Sequence, residues 1–344
     1  MVVLDYKHFP GKSCKTTALS DFMAWNDFYL SEDVVLGFCE GFDFSFILPN
    51  EEHHLMKILV SHADYFENFS KNIGCTYSLI TQKEPQIIED IIAYEKQPVF
   101  CEVALGHYKD ELHNQGQFLN DFSLDVLLPL HISQVIGFEK DKFYLCENFE
   151  EQVFTIDKSI FLEAMNVDTR SKIDPHYKIH RFLPTRFGSD AVKAAAVSAI
   201  KNNMKTYLSS QNPCLGYLSL KLFFETIRQI NHMLPDDILA SSLENSGYLI
   251  KYVSFGMLRR NYARFLKYIS KEHGQTEGFK KSISQLMRAN YLWNQLANLY
   301  ISDKYTVDEK INSQQAIALI EKLEQLELGL PFLILKELEA IDSE

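Results

Sequence analysis

The apolar pattern of this chain changes once, near residue 185, and that change limits the folds it can adopt. Before it, helical periodicity alternates with short apolar runs such as residues 98–103, which are typical of buried strands. After it, long stretches of helical period follow one another and are interrupted only by single prolines and glycines. We therefore predict an α+β domain over residues 1–185 and an all-helical domain over residues 186–344.

The same periodicity predicts individual elements. In the first domain we predict helices at about 14–29, 51–70 and 84–95, a strand at 98–103, a hairpin over 131–148, and a linker or surface strand at 168–188. In the second domain we predict helices at about 189–209, 216–233, 236–243, 249–271, 276–302 and 311–327.

Composition excludes several classes of function. A formal net charge of −12 argues against general nucleic-acid binding, because neutralising phosphates requires a basic face. The N-terminus lacks the pattern of a secretion signal, and no segment approaches the ~20 apolar residues of a membrane span, so we expect a cytoplasmic protein without membrane contact. The six cysteines form no CxxC pairs, so neither a metal site nor a disulfide framework is predicted.

Cys14 stands where a flexible Gly-Lys-Ser segment turns into a helical pattern. The unpaired N–H groups at a helix N-terminus favour the thiolate, which lowers the pKa of a cysteine below its usual value of roughly 8.5. The segment is similar to the end of a phosphate-binding loop, but Tyr6 stands where that motif requires glycine, so we exclude it. Cys14 is therefore a candidate nucleophile, and a small buried thiol is the alternative.

His131 opens the first strand of the predicted hairpin, and Glu147, Asn148 and Glu150 lie at the end of the second. A cysteine on an early helix, followed far downstream by a histidine and an orienting acid or amide, is the chain order of papain-like cysteine enzymes. The imidazole would take the thiol proton, and the third group would fix its tautomer. We predict Glu147 as that group, with Asn148 and Glu150 as alternatives, because a one-residue register shift would exchange them.

Further residues are candidates for the cleft. We expect the Cys14 N–H to contribute to an oxyanion hole, with His8 or Ser13 supplying a donor from the preceding segment. Phe42, in an aromatic stretch, is a candidate for an acyl pocket, although core packing is the alternative. A polar loop after the 98–103 strand holds two more candidates for substrate binding, namely His107 and Tyr108.

Several stretches resemble one known family in order and spacing. Residues 11–19, Gly-Lys-Ser-Cys-Lys-Thr-Thr-Ala-Leu, and the Leu-Ser-Glu segment that begins at residue 30 are similar to the opening of the butirosin biosynthesis protein H N-terminal family. Residues 97–103 and 131–148 resemble its central strand and its histidine hairpin. Residues 256–266 and 291–297 resemble the helical domain that often follows it. The resemblance covers nearly the whole chain.

The resemblance implies a papain-like fold and transfer of an acyl group from a carrier-protein thioester to an amine. Carried over by position, Cys14 would be the acylated nucleophile and His131 the general base and acid. Glu147 falls where the family usually has Asp, and Asn148 where it has Pro, so both stay candidates for the third member. No cofactor would be bound here, since the phosphopantetheine belongs to the acyl or peptidyl carrier protein.

We therefore predict a cysteine-dependent acyltransferase of specialised metabolism, with a small-molecule amine as acceptor. A cysteine peptidase or amidase would use the same residues with water as acceptor, and a non-enzymatic binding module would keep Cys14 inert. Because carrier proteins are usually acidic, docking on this acidic chain requires a local basic patch. Its predicted members lie on one helix, namely Arg259, Arg260 and Arg264.

Overall fold

A computed structural model of the chain describes residues 1–50, 54–60, 64–81, 84, 86–104, 107, 131–166, 177–183, 188–275 and 277–342. The protein is of mixed α+β class, with an antiparallel sheet and a helical C-terminal region, which confirms the predicted class. The chain forms two compact units, Met1–Val35 with Phe66–Phe187 and Leu36–Tyr65 with Gly188–Glu344. The predicted boundary at 185 lies close to the observed one, but residues 36–65 group with the helical unit instead of the sheet.

The strands are β1 (Val2–Val3), β2 (Ser45–Ile47), β3 (Lys57–Leu59), β4 (Thr76–Thr81), β5 (Val99–Val103), β6 (His131–Phe138), β7 (Lys142–Cys146), β8 (Phe154–Asp157) and β9 (Lys178–Leu183). In the described part of the first unit, the antiparallel sheet has the order β4-β9-β5-β6-β7-β8, and β1 pairs with β6. The predicted strand at 98–103 and the predicted hairpin are both confirmed, as β5 and as the β6–β7 pair.

The first half of the chain also contains α1 (Cys14–Trp25), α2 (Glu32–Phe38), α3 (Tyr65–Ile73), α4 (Gln86–Asp90) with a π-helical turn at Ile91–Glu95, and α5 (Lys158–Ala164). Helix α1 begins where predicted and ends four residues early, because Asp27 takes a left-handed conformation (φ 60°) that a right-handed helix cannot continue. Its residues 16–23 are all buried, so α1 is an internal helix of this unit.

The sheet of the first unit is covered on both faces. Successive residues of β5 point to opposite faces, and Phe100 packs with the rings of Phe22 on α1 and Phe182 on β9. Its neighbour Val99 instead belongs to an aliphatic core that also includes Ile88 on α4 and Phe161 on α5. Strand β6 is likewise buried on both faces, since residues 131–137 are all buried although three of them are polar.

The second unit pairs β2 with β3 and continues with α6 (Ser189–Ser209), α7 (Gly216–Ile227), α8 (Ile230–Met233), α9 (Asp236–Tyr248) with a π-helical turn at Leu249–Val253, α10 (Arg259–Glu272), α11 (Lys280–Tyr300), α12 (Val307–Asn312), α13 (Gln314–Glu327) and α14 (Leu330–Asp342). None of the helices in the described ranges is long and apolar enough to cross a membrane.

Three predicted helices are wrong in part, and one of them, at 216–233, ends at Ile227 and resumes at Ile230. The helix predicted at 51–70 is interrupted by strand β3, whose flanking residues Met56 and Val60 donate their N–H groups to the hydroxyls of Ser242 and Ser254 (3.0 and 2.9 Å). Long-range pairing therefore overrides the local helical pattern. The helix predicted at 249–271 is broken because four successive residues, 255–258, have φ between 41° and 71°, a conformation that ends a right-handed helix.

Candidate active site

Cys14 is the first residue of α1, directly after Ser13 in extended conformation. The first helical hydrogen bond runs from the Thr17 N–H to the Ser13 carbonyl (2.9 Å), so the Cys14 N–H has no acceptor within the helix. Cys14 is half-buried, whereas Cys39, Cys75, Cys101 and Cys146 are buried. Cys14 therefore lies at the positive end of the helix dipole, as predicted.

The loop before Cys14 is held by the carboxylate of Glu32. Its Oε1 accepts the N–H groups of Lys12 and Ser13 (3.0 and 2.7 Å) and the hydroxyl of Thr16 (2.8 Å). Gly11 fits beside this contact because it has no side chain, since a Cβ there would lie 2.1 Å from Thr17 Oγ1. Backbone amides that would cradle a phosphate in a true phosphate-binding loop therefore bind a carboxylate of the protein itself.

His131 and Glu147 form a buried pair at the end of the β6–β7 hairpin. The Nε2 of His131 is hydrogen-bonded to one carboxylate oxygen of Glu147, and the Ser133 hydroxyl donates to the other. His131 is 4% exposed and Glu147 is fully buried. Asn148 instead donates its amide to the Gly11 carbonyl (3.4 Å) and accepts the Gly11 N–H at its own carbonyl (2.6 Å). The structure thus brings Glu147 to His131, and Asn148 to the loop before Cys14.

Cys14 interacts with the same imidazole. A hydrogen bond and a charge interaction join Cys14 and His131, whose Nε2 is hydrogen-bonded to Glu147. Burial by itself would raise the pKa of the Cys14 thiol, but the charge and hydrogen bond of His131 and the Ile132 N–H lower it overall. Burial would likewise lower the pKa of His131, yet the charges of Glu147 and Cys14 raise it to about 10. Both shifts favour a thiolate–imidazolium pair at neutral pH.

The buried thiols of the described first unit are held neutral. Burial raises the pKa of Cys75 to about 12, and it also raises the pKa of Cys101 and of Cys146 well above the ordinary value. The pKa of Cys14 is therefore lowered, whereas the pKa values of these three thiols in the same unit are raised. The lowering results from the local surroundings of Cys14 and not from a general property of the unit.

His8 is not placed to serve an oxyanion hole, which corrects the sequence-based assignment. Its Nδ1 lies 2.6 Å from Asp21 Oδ2, and its Nε2 lies 2.9 and 2.8 Å from the carbonyl oxygens of Glu147 and Glu150. Both ring nitrogens are thus occupied inside the protein. The Ser13 N–H is also occupied, by Glu32. The Cys14 N–H is left as the predicted oxyanion donor.

Other predicted site residues lie elsewhere. Phe42 is fully buried in the second unit, where its ring packs on Tyr207 (4.9 Å) and under the guanidinium of Arg259 (4.0 Å), so it is a core residue. His107 is exposed, and its Nε2 lies 3.3 Å from Glu163 Oε2. Tyr108 falls outside the described residues.

One of the three arginines of the predicted basic patch is not on the surface. Arg259 is fully buried and binds Glu327, which is also fully buried, at 3.0 Å, so it cannot meet a partner protein. A buried guanidinium needs such a partner because an uncompensated buried charge is strongly destabilising. Arg260 and Arg264 are exposed on α10, as the helical spacing indicates. Docking of a carrier protein on them stays a prediction.

A second polar cluster of the sheet was missed in the sequence. His180 on β9 donates from Nε2 to Glu102 on β5 (3.0 Å), and the Tyr77 hydroxyl bonds its Nδ1 (2.9 Å). Lys178 Nζ lies 3.5 Å from the same carboxylate. His180 lies in the segment predicted as a linker or surface strand, and its partners are about 80 to 100 residues away, so local pattern carried no signal for it. Within the described ranges, no group of His, Cys, Asp and Glu is arranged to hold a metal ion.

The helix and sheet of the first unit thus define a thiol–imidazole–carboxylate site, Cys14–His131–Glu147. No protein-family model matches the chain, and no curated protein is significantly similar to it. The family resemblance therefore rests only on the sequence stretches described above, such as residues 11–19 and 131–148.

Proposed function

We propose that this protein is a papain-like, cysteine-dependent acyltransferase that moves an acyl group from a carrier-protein thioester to an amine. The observation that carries the proposal is the Cys14–His131–Glu147 arrangement, in which a half-buried thiol has a lowered pKa and a buried imidazole a raised one. An inert binding module would have no need of this costly buried charge pair. The choice of thioester and amine follows from the family resemblance of residues 11–19 and 131–148.

The first half of the reaction forms an acyl-enzyme. The Cys14 thiolate attacks the thioester carbonyl, and the oxyanion that develops is stabilised by the Cys14 N–H at the start of α1. The carbon–sulfur bond to the carrier's phosphopantetheine then breaks, and the departing thiolate takes the proton of the His131 imidazolium. Glu147 keeps the neutral imidazole oriented through its bond to Nε2.

The second half transfers the acyl group. The free imidazole of His131 accepts a proton from the incoming amine as its nitrogen bonds to the acyl carbon, and the Cys14 thiolate leaves. The imidazolium that results pairs again with the thiolate, so the enzyme returns to its starting state. Formation of an amide from a thioester drives the cycle. The carrier protein is a partner and the amine is a small molecule, and no cofactor on this chain is required.

The test measures the intact mass of the protein after incubation with carrier proteins loaded with candidate acyl groups. Native protein should gain the acyl mass, and Cys14→Ala should not. The matched control is Cys214→Ala, which removes the other partly exposed cysteine and should label like native protein. An amine should discharge the label faster than water does.

Two outcomes would count against the proposal. Discharge by water at the same rate as by amines would identify a hydrolase with the same triad. Absence of labelling by every thioester, together with slow alkylation of Cys14, would remove the catalytic role altogether.

A further inference from the structure

His8 lies at the centre of a buried hydrogen-bond network behind the candidate site. Its side chain is 3% exposed, and every atom that faces its ring nitrogens is an oxygen acceptor. Nδ1 faces the Asp21 carboxylate, and Nε2 faces the carbonyls of Glu147 and Glu150. A carbonyl cannot donate, so both nitrogens must carry protons to satisfy these contacts. The geometry therefore requires an imidazolium at His8.

Asp21 is the counter-ion and is itself fully buried on α1. In addition to His8 it accepts the Phe9 N–H at 3.1 Å and the side-chain amide of Gln134 at 3.0 Å. The other end of Gln134 accepts the Tyr6 hydroxyl at 2.7 Å. Three donors on one carboxylate indicate that Asp21 is ionised.

The network joins the three elements that carry the triad. Asp21 lies two helical turns after Cys14 on α1, and Gln134 lies three residues after His131 on β6. The carbonyls that His8 binds belong to the turn that begins with Glu147.

From this arrangement we infer that His8 is a positioning residue, which as an imidazolium bound to Asp21 holds the 147–150 turn so that the Glu147 carboxylate stays on His131. The inference rests on the proposed function only in treating Cys14, His131 and Glu147 as one reactive unit.

The charges around His8 support its protonated form. Burial lowers the pKa of His8, but the hydrogen bond and charge of Asp21 and the carbonyls of Glu147 and Glu150 raise it overall above its usual value. The other titratable groups that face this network are Tyr6, whose pKa is raised by burial and by Asp21, and Cys146, which burial keeps neutral. Because the pKa is raised on folding, the contacts are complete below the ordinary value of 6.5 and are lost as pH rises through the raised one.

The test is the variant His8→Gln, which keeps N–H donors for the two carbonyls but removes the charge. We expect the pKa of the Cys14 thiolate, taken from the pH dependence of alkylation by iodoacetamide, to rise by about one unit, which slows alkylation about tenfold at pH values below the native pKa. His232→Gln, at an exposed histidine of α8, is the matched control and should leave the profile unchanged. An unchanged profile in a folded His8→Gln protein overturns the inference.

A measurement on the native protein covers the case in which His8→Gln does not fold. In ¹⁵N-histidine NMR spectra at pH 7, the two nitrogens of His8 should both show the protonated signature. A neutral His8 ring would contradict the inference. Neither experiment uses a carrier protein. If His8→Gln raises the pKa of the Cys14 thiol as expected but no acyl group is transferred, the proposed function is rejected and the role of His8 is kept.

Discussion

Two buried histidine–glutamate pairs lie in the part of the first unit that the structure describes, and the pKa values of their histidines are shifted in opposite directions. His131 binds Glu147 and His180 binds Glu102, in each case through Nε2. Both imidazoles are 4% exposed, so burial disfavours the charged ring in both. Nevertheless the pKa of His131 is raised to about 10, whereas the pKa of His180 is lowered from its ordinary value.

The other groups around each ring explain the difference. His131 interacts with the Cys14 thiolate as well as with Glu147, so two negative groups raise its pKa. At His180 burial lowers the pKa most, and the charges of Lys15 and Lys178 lower it further against the opposing effect of Glu102. The group at its Nδ1 is the Tyr77 hydroxyl, which carries no negative charge. A His–Glu pair is therefore not by itself a sign of a charged catalytic histidine. The charges and hydrogen bonds of the other groups around the ring decide whether the imidazole is protonated.

The largest expected effect is a difference in activity between substitutions of the two carboxylates, Glu147 and Glu102. Glu147→Gln removes the charge that raises the pKa of His131, so the thiolate pKa should rise and kcat/KM for the thioester should fall about 100-fold. Glu102→Gln, the matched change at the other pair, should alter kcat/KM less than about twofold, within the scatter of distant substitutions. Steady-state kinetics on both variants checks this. Equal losses in both would show that the two pairs act together.

The next prediction concerns the pH dependence of the two rings. The raised pKa of His131 means that its contribution to folding stability is complete below about 6.5 and is lost as pH rises through about 10. His180, with a lowered pKa, should act in the opposite sense and weaken the fold as pH falls below 6.5, because the unfolded chain then binds the proton first. Histidine NMR titration of the native protein reads both rings in one experiment. The comparison fails if both rings titrate together near 6.5.

A smaller effect is expected at Lys15, which influences both clusters. Its charge lowers the pKa of the Cys14 thiol and also that of His180, although it is not the main cause of either shift. Lys15→Gln should therefore slow alkylation of Cys14 by about two- to threefold at pH values below the pKa of the thiol, and it should raise the pKa of His180. Lys193→Gln, at a residue of α6 in the other unit, is the control. A change at His180 alone would show that the charge of Lys15 does not reach the thiolate.

The smallest expected effect is that of Tyr77→Phe. Loss of the hydroxyl removes the hydrogen bond that favours neutral His180, so the pKa of that ring should rise, while Cys14 alkylation should change less than about twofold. NMR titration of His180 and the alkylation rate are the two readouts. A large loss of Cys14 reactivity would mean that the second cluster takes part in the chemistry.

The parts of the site that sequence could predict are the local ones. Cys14 at a helix start and His131 on a hairpin follow from periodicity and turn residues, and the chain order links them. The sequence predicted Glu147 only together with alternatives such as Asn148. Which of them faces His131 depends on the pairing register of β6 and β7, and the sequence does not fix that register.

The parts that sequence could not predict depend on contacts between distant segments. Glu32, Asp21 and Gln134 are ordinary polar residues in the sequence, and only the fold brings them to the loop and network around the site. The basic spacing around Arg259 indicated an exposed helix face, but its own partner Glu327 lies on a different helix and draws it into the core. For the same reason the aromatic stretch that includes Phe42 was open to two interpretations, and packing decided it.

The discontinuity of the two units has a consequence for synthesis on the ribosome. Residues 36–65 are made early, yet their partners are made late: Phe44 packs on Phe223 and Trp293, and Met56 donates its N–H to Ser242. The last strand of the sheet, β9, ends at Leu183, so at usual elongation rates translation must continue for on the order of ten seconds before Trp293 emerges. During that interval an apolar segment of the nascent chain has no core to enter. The core of the second unit can therefore close only well after the strands of the first unit have been made.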